Sequence, residues 1–509
     1  VTYPDGTATA TGYDAAGNVT SASNLDASGS TLATTSAAFD GEGDKLSATD
    51  AAGNSTAFTY DPAGLVTAEV QPVTSSSGIT TSFGYDAAGN QTLYTDGNGK
   101  PWQSTYNSWG LQESRIEPPT SQYTSAANST FTTAYDADGH PVTLTEPGGV
   151  TVTSTYNSMG ELAGQSGSGA DAATATRSFG YDLAGDLTSA SGSNTLGTGS
   201  NATSESFTYN DRGQVLTTSG SAGATSYHYN GDGLMTSVAD AAGTTGYTYD
   251  GAGRLATLAN PVNGSTATYS YNSDSLVTGI SYGSGKDTQS LAYDGMRRLT
   301  SDTLKTSSGT TVASLGYGYN ADSEITSQTT SGLAGPTSST YTYDQAGRLA
   351  SWNNGTTTTT YGYDGAGNLT QNGTRTLTYD ARDQLTSDGT GSYTYTARGT
   401  PSSESSPAGS IAVTFNAYGN QATAGTRSYA YDALGRLTAD TPTSGGSGYA
   451  FSYVGSTGTI ASDGTSGYAW DPSGGVLSGT GAVGGGTGGA LALTDIHGNQ
   501  AGQFTASGT

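Results

Sequence analysis

Cysteine is absent from this chain, histidine and methionine each occur three times, and charged residues make up only 11 %. Without cysteine there is no disulfide framework and no thiolate metal site. Lys and Arg number 16 against 42 Asp and Glu, a formal charge of −26, so the clustered cations that a nucleic-acid backbone or an anionic membrane surface requires are missing. No apolar run reaches the roughly 18 residues of a membrane-spanning helix. Long 3.6-residue periodicity is lacking too, because Gly, Ser and Thr interrupt every stretch, and helix is expected to be nearly absent. The chain opens on Val1 with no leader-like segment and is inside a repeat by Tyr13-Asp14, which reads as a piece of a longer polypeptide.

Hydrophobic residues are scarce as well, at 33 %, while glycine fills 77 of 509 positions. Stripped of its order, that composition is close to a disordered one. The order of the residues reverses this reading, because 34 tyrosines recur periodically and disordered tracts are poor in aromatics.

Seventeen times, from Tyr13 to Tyr431, a Tyr is followed by Asp or Asn in the same setting, and Phe39, Tyr395, Phe415 and Trp470 open variants. Successive starts lie mostly 16 to 29 residues apart, room for one two-stranded hairpin and a connection. In thirteen of the seventeen, Gly stands four positions after the Tyr. Asp or Asn first and Gly fourth is a type I turn, in which the side chain caps backbone N–H groups and Gly takes positive φ. If that Gly also forms a bulge, pairing shifts by one, and Tyr falls opposite the residue six positions on. That residue is usually aliphatic. The expected wall pairs are Tyr249 with Leu255, Tyr343 with Leu349, Tyr363 with Leu369 and Tyr431 with Leu437; the expected turn residues are Asp250 and Gly253, Asp344 and Gly347, Asp364 and Gly367, and Asp432 and Gly435. An aromatic opposite an aliphatic contributes about 0.2–1 kcal/mol. Often a second aromatic stands two residues earlier, as in Tyr361/Tyr363, which puts both rings on one strand face.

Stretches such as YDGAGRLAT (249 to 257), YDGAGNLTQ (363 to 371) and YDALGRLTA (431 to 439) closely resemble the YD repeat of the Rhs, teneurin and TcC families, and the resemblance covers nearly the whole chain. It implies an all-β repeat protein of about twenty hairpins that spiral into a large hollow β-shell. The expected layout is a continuous shell over 1–490, with 441–490 Gly-rich and degenerate, followed by the start of a truncated Rhs-core-like segment at 491–509. The resemblance further implies a C-terminal toxin-like cargo or core plug in the parent chain, a structural rather than enzymatic role, and a secreted or cell-surface location in a bacterium. A second function class is a surface protein that recognises a protein or glycan, for which an exposed patch of Trp102, Trp109 and Trp352 would speak. Shell ends could also pair with another chain.

Chemistry beyond the wall finds little support. Asp471-Pro472-Ser473-Gly474 matches the family's Asp-Pro-x-Gly cleavage motif, but Trp470 fills the aromatic repeat position and Tyr60-Asp61-Pro62-Ala63-Gly64 has the same pattern, so an ordinary turn accounts for it. His140, His228 and His497 are scattered, and structural roles are expected. Asp-Gly-Asn-Gly at 96–99 supplies too few ligands for a calcium loop. The tyrosine rows suit buried cross-strand packing better than sugar stacking, because they recur in every unit. No catalytic, cofactor or metal residue is expected.

Overall fold

The computed structural model describes residues 1–194, 201–470, 476–480 and 490–504. The motif at 471–474 lies outside the described residues. Among those described, the only helical element is one 3-10 turn, Ala126–Asn128. All other regular structure among the described residues is β, and most strands pair antiparallel with the strands next to them in the chain, in sheets of 33, 9, 2 and 4 strands. The fold is therefore an all-β array of hairpins.

Local chemistry explains each hairpin. In the strands Thr358–Tyr363 and Leu369–Asn372, Tyr361 pairs with Asn372 and Gly362 with Gln371, after which a bulge places Tyr363 opposite Leu369. The same shift sets Tyr249 against Leu255, Tyr343 against Leu349 and Tyr431 against Leu437. Gly253, Gly347, Gly367 and Gly435 have φ of 78°, 74°, 90° and 82°, the left-handed region that glycine enters without a Cβ penalty. The four units that lack this glycine hold the same geometry with another residue: Ser275, Arg297, Ser323 and Asp383 sit at φ 59° to 67°. Those turns are strained, at about 1–2 kcal/mol each. The last described hairpin, Ala490–Thr494 with Gln500–Phe504, has the same bulge at Thr494.

The strands belong to two units, each built from two separate stretches of chain. One comprises Val1–Thr105 and Tyr269–Gly389, the other Tyr106–Thr268 and Thr390–Ser507. In the first, period-two alternation along Thr311–Tyr319 buries Ala313, Leu315 and Tyr317, which with Leu304 form an apolar layer. In the second, Ala190, Phe207 and Ala433 form a buried cluster with Phe179, Leu187, Tyr209 and Leu434 around it. Further buried side chains, such as Leu258, Leu491 and Leu493, are spread along the strands. The repeat tyrosines Tyr249, Tyr343, Tyr363 and Tyr431 are half-buried rather than enclosed. Cross-strand packing against Leu thus leaves these rings partly exposed, and in a wall with few aliphatic residues they need a further anchor.

Candidate functional site

That anchor is the tyrosine hydroxyl. Tyr363 Oη donates to the carbonyl of Leu349 at 3.0 Å, and Leu349 is the residue opposite Tyr343 in the preceding hairpin. The rule recurs in both units: Tyr343 to Ile325 O, Tyr319 to Leu299 O and Tyr379 to Leu369 O in the first; Tyr209 to Leu187 O, Tyr229 to Val215 O and Tyr249 to Met235 O in the second. Trp470 keeps the rule with a different donor, its Nε1 reaching Ile460 O at 2.7 Å. A repeat tyrosine bonded in this way fastens its own hairpin to the one before, and satisfies a carbonyl at the bulge where the ladder is interrupted. Burial raises the phenol of Tyr363 above its ordinary range, as it does for Tyr249, Tyr343 and Tyr431.

The turn carboxylates form a second set of fasteners. Asp250 Oδ1 accepts from the backbone N–H of Ala252 at 2.9 Å and of Arg254 at 3.0 Å, while Oδ2 accepts from Arg254 Nε at 2.8 Å. Hydrogen bonds from Arg254 hold the Asp250 carboxyl below its ordinary range. Asp344 and Asp432 bind Arg348 and Arg436 in the same way, and Asp364 binds Asn368. Where the clamp is Arg, it also reaches forward: Arg348 Nη1 donates to Asp364 O at 3.2 Å, and its guanidinium lies 4.8 Å from the Tyr363 ring centre. Tyrosine thus ties a hairpin backward and, where the turn clamp is arginine, that residue ties it forward.

Within each unit the two stretches are locked at turn tips. In the first, Asn98 Nδ2 donates to Asp364 Oδ2 at 3.0 Å and Asn98 Oδ1 accepts from Gly365 N at 2.9 Å. The backbones approach so closely that a Cβ on Gly97 would lie 1.9 Å from Gly365 O. Farther along, Asp322 Oδ1 accepts from the N–H of Ala51 at 2.7 Å and of Ala52 at 3.1 Å. In the second unit Arg398 bridges Glu146 at 3.0 Å, Gly455 N donates to Thr225 Oγ1 at 2.9 Å, and Asn260 Nδ2 donates to the buried Ser478 Oγ at 2.8 Å. Sequence reasoning missed these locks, because their partners stand 218 to 271 positions apart.

Several buried carboxylates keep an oxygen without a partner, and Asp302 is one of them. Asp302 is 3 % exposed on the apolar face of the first unit, where Oδ2 accepts from Gln289 Nε2 at 2.6 Å and Oδ1 is buried without a partner. Burial pushes its carboxyl up to about 6. Gln289 in turn accepts from Tyr282 Oη at 2.7 Å, making a closed polar chain of three residues.

The histidines do not converge. His140 bonds Asp136 Oδ2 through Nδ1 at 3.1 Å and stacks on Tyr156, whereas His228 and His497 are exposed. Asp136, Asp138 and His140 are the one group among the described residues close enough to share a cation, and all three belong to a single exposed turn. Of the tryptophans, Trp109 is 63 % exposed at a turn tip, while Trp102 and Trp352 are half-buried, Trp352 Nε1 donating to Ser339 Oγ at 3.0 Å.

Comparison with known proteins gives a consistent picture. The teneurin YD-shell model matches residues 200–294 and 288–454, which together make up half of the chain, and the RHS repeat model matches 39–75 and 70–101. No curated protein sequence matches significantly. Among solved structures, the Photorhabdus luminescens Tc holotoxin pore with a TccC3 variant superposes with a TM-score of 0.59 at 16 % identity, over 96 % of this chain and 31 % of that one. The TcdB2–TccC3 structure lacking its hypervariable C-terminal region gives 0.50 at 15 % identity, over 92 % and 32 %. This chain thus spans about a third of the length of the solved chains it matches. With a family model matching half of its length, the chain belongs to the teneurin YD-shell family, with Rhs repeats in its N-terminal part.

Proposed function

We propose that this chain is the wall of an encapsulating YD shell, and that its longer parent carries a toxin-like polypeptide cargo beyond the wall. The observation that supports this reading best is the serial fastening of the hairpins, backward through tyrosine hydroxyls and forward through arginines, with each unit's two stretches locked at their turn tips. No hairpin in such an array can leave without breaking bonds to its neighbours. A wall of this kind acts by exclusion, separating what it encloses from solvent and proteases, and asks no residue to be a catalyst. In this reading 1–490 are the wall and 491–509 lead into the core region that plugs it. The parent is a secreted or cell-surface bacterial protein.

A second reading, recognition of a surface protein or glycan, draws on the exposed Trp109. The half-buried Trp102 and Trp352 count against a shared aromatic platform. Limited proteolysis of the parent polypeptide separates the two. Encapsulation predicts a C-terminal fragment that resists protease until denaturant opens the wall, with Trp109→Ala leaving that protection unchanged. Digestion of the C-terminal region at the rate of an unfolded chain would remove the cargo from the account.

A further inference from the structure

Arginines in this acidic chain are held tightly: Arg398, Arg427 and Arg436 each bridge a carboxylate. Arg177 departs from that pattern. Among the described residues its guanidinium has neither a hydrogen bond nor an ion pair, and it lies over the Tyr418 ring, 3.8 Å from the centre. Tyr418 is itself fixed by its hydroxyl, which donates to Ala175 O at 2.8 Å. Held by a ring and not by a carboxylate, the guanidinium keeps its N–H donors for a two-oxygen acceptor. Burial lowers the Arg177 pKa, so the group is partly out of water with its donors unused.

Beside it lies a cavity of about 80 Å³ in the second unit, lined by Arg177, Tyr418, Asn420, Tyr429 and Asp432. A space of that size holds a group of a few heavy atoms. Asn420 Nδ2 borders the same cavity, buried and without a partner. The one carboxylate there, Asp432, is already satisfied by the backbone N–H of Arg436 at 2.8 Å and by its Nε at 2.7 Å. Asp432 acts on Arg177 through its charge but makes no hydrogen bond or ion pair to it. A buried donor left unpaired, as Asn420 Nδ2 is, costs about 1–3 kcal/mol, so an occupant that accepts from it and from the partly buried Arg177 beside it suits the site.

We propose that this cavity is a binding site for a small oxyanion, a carboxylate or phosphate group, taken bidentately by Arg177 and by the amide of Asn420. The occupant can come from free inorganic phosphate or from a carboxylate of a peptide, and the test uses a probe for each. Inorganic phosphate and sodium acetate are titrated separately, at fixed ionic strength, into the whole chain, with binding heat and thermal midpoint as readouts. The expected result is saturable binding of at least one probe with a rise in midpoint, and a loss of at least ten-fold in affinity in both Arg177→Met and Asn420→Asp. Response to acetate assigns a carboxylate ligand, and response to phosphate alone assigns a tetrahedral one. If Arg177→Met does not fold, Asn420→Asp decides. No saturable binding by the native chain, or binding retained in a folded variant, overturns the proposal.

Discussion

Removing a single oxygen atom tests the fastening scheme. Tyr363→Phe keeps the half-buried ring opposite Leu369 and deletes only the donor that reaches Leu349 O at 3.0 Å. A neutral intramolecular hydrogen bond contributes about 0.5–1.5 kcal/mol net. The Leu349 carbonyl sits in a half-buried strand, where water can partly replace the phenol, so the expected loss is about 1 kcal/mol. Because a repeat array does not unfold as one cooperative unit, the loss is local. Hydrogen exchange of the strands Leu349–Asn353 and Thr358–Tyr363 should quicken by about five-fold, with distant hairpins unchanged. The reverse substitution checks the sign. Phe415 occupies a repeat position, pairs with Gln421 across a bulge and lacks a hydroxyl, so Phe415→Tyr should slow exchange in the preceding hairpin, where the Pro401 carbonyl stands opposite Tyr395. Unchanged exchange in Tyr363→Phe, together with no gain in Phe415→Tyr, would show that the hydroxyls do not hold the hairpins together.

Further consequences follow from the turns, the lock and the buried acid. Gly253 has φ 78° with open space around its Cα, so Gly253→Ala should cost about 1–2 kcal/mol by conformation alone, read as faster exchange in its hairpin. Ser323→Gly, at φ 67°, should have the opposite sign and gain less than about 1 kcal/mol. Gly97→Ala drives a methyl into Gly365 O and should cost about 3 kcal/mol or more, separating the turns at 96–99 and 364–367; equal exchange rates in native and variant turns would refute the lock. Asp302, whose carboxyl is raised to about 6, contributes stability that is fully present below its ordinary pKa of 3.8 and is lost as pH rises through about 6. Asp302→Asn should therefore remove that pH dependence and stabilise the first unit near pH 7 by roughly 2–3 kcal/mol; a native chain whose melting is flat between pH 4 and 7 would contradict this.

The hairpins were legible in the sequence because everything that sets their register is local. Tyr363, Asp364, Gly367 and Leu369 lie within seven residues, and a bulge at this turn is what sets Tyr363 opposite Leu369. Even the four units without glycine obey it, since the turn forces Ser275, Arg297, Ser323 and Asp383 into positive φ. The hydroxyl's role was not legible. Its acceptor stands 10 residues back for Tyr379 and 23 back for Tyr135, so no fixed spacing announces it; the bare preference for Tyr over Phe was its only trace. The turn locks were hidden for a stronger reason, because Gly97 and Gly365 meet across 268 positions while Gly251, at the equivalent turn position, faces open space. The strand LTSDTLK at 299–305 likewise gives no sign that Asp302 points to the buried side, since that face is fixed by its pairing with Leu315.

Electron microscopy of the native parent polypeptide, purified from its source with both ends mapped, tests the central claim most directly. The account predicts a closed wall of strands about 4.8 Å apart around a cavity that holds additional density, together with a chain that continues past Thr509. An open array with no enclosed volume, or a cavity empty in a parent that retains its full C-terminus, would contradict encapsulation.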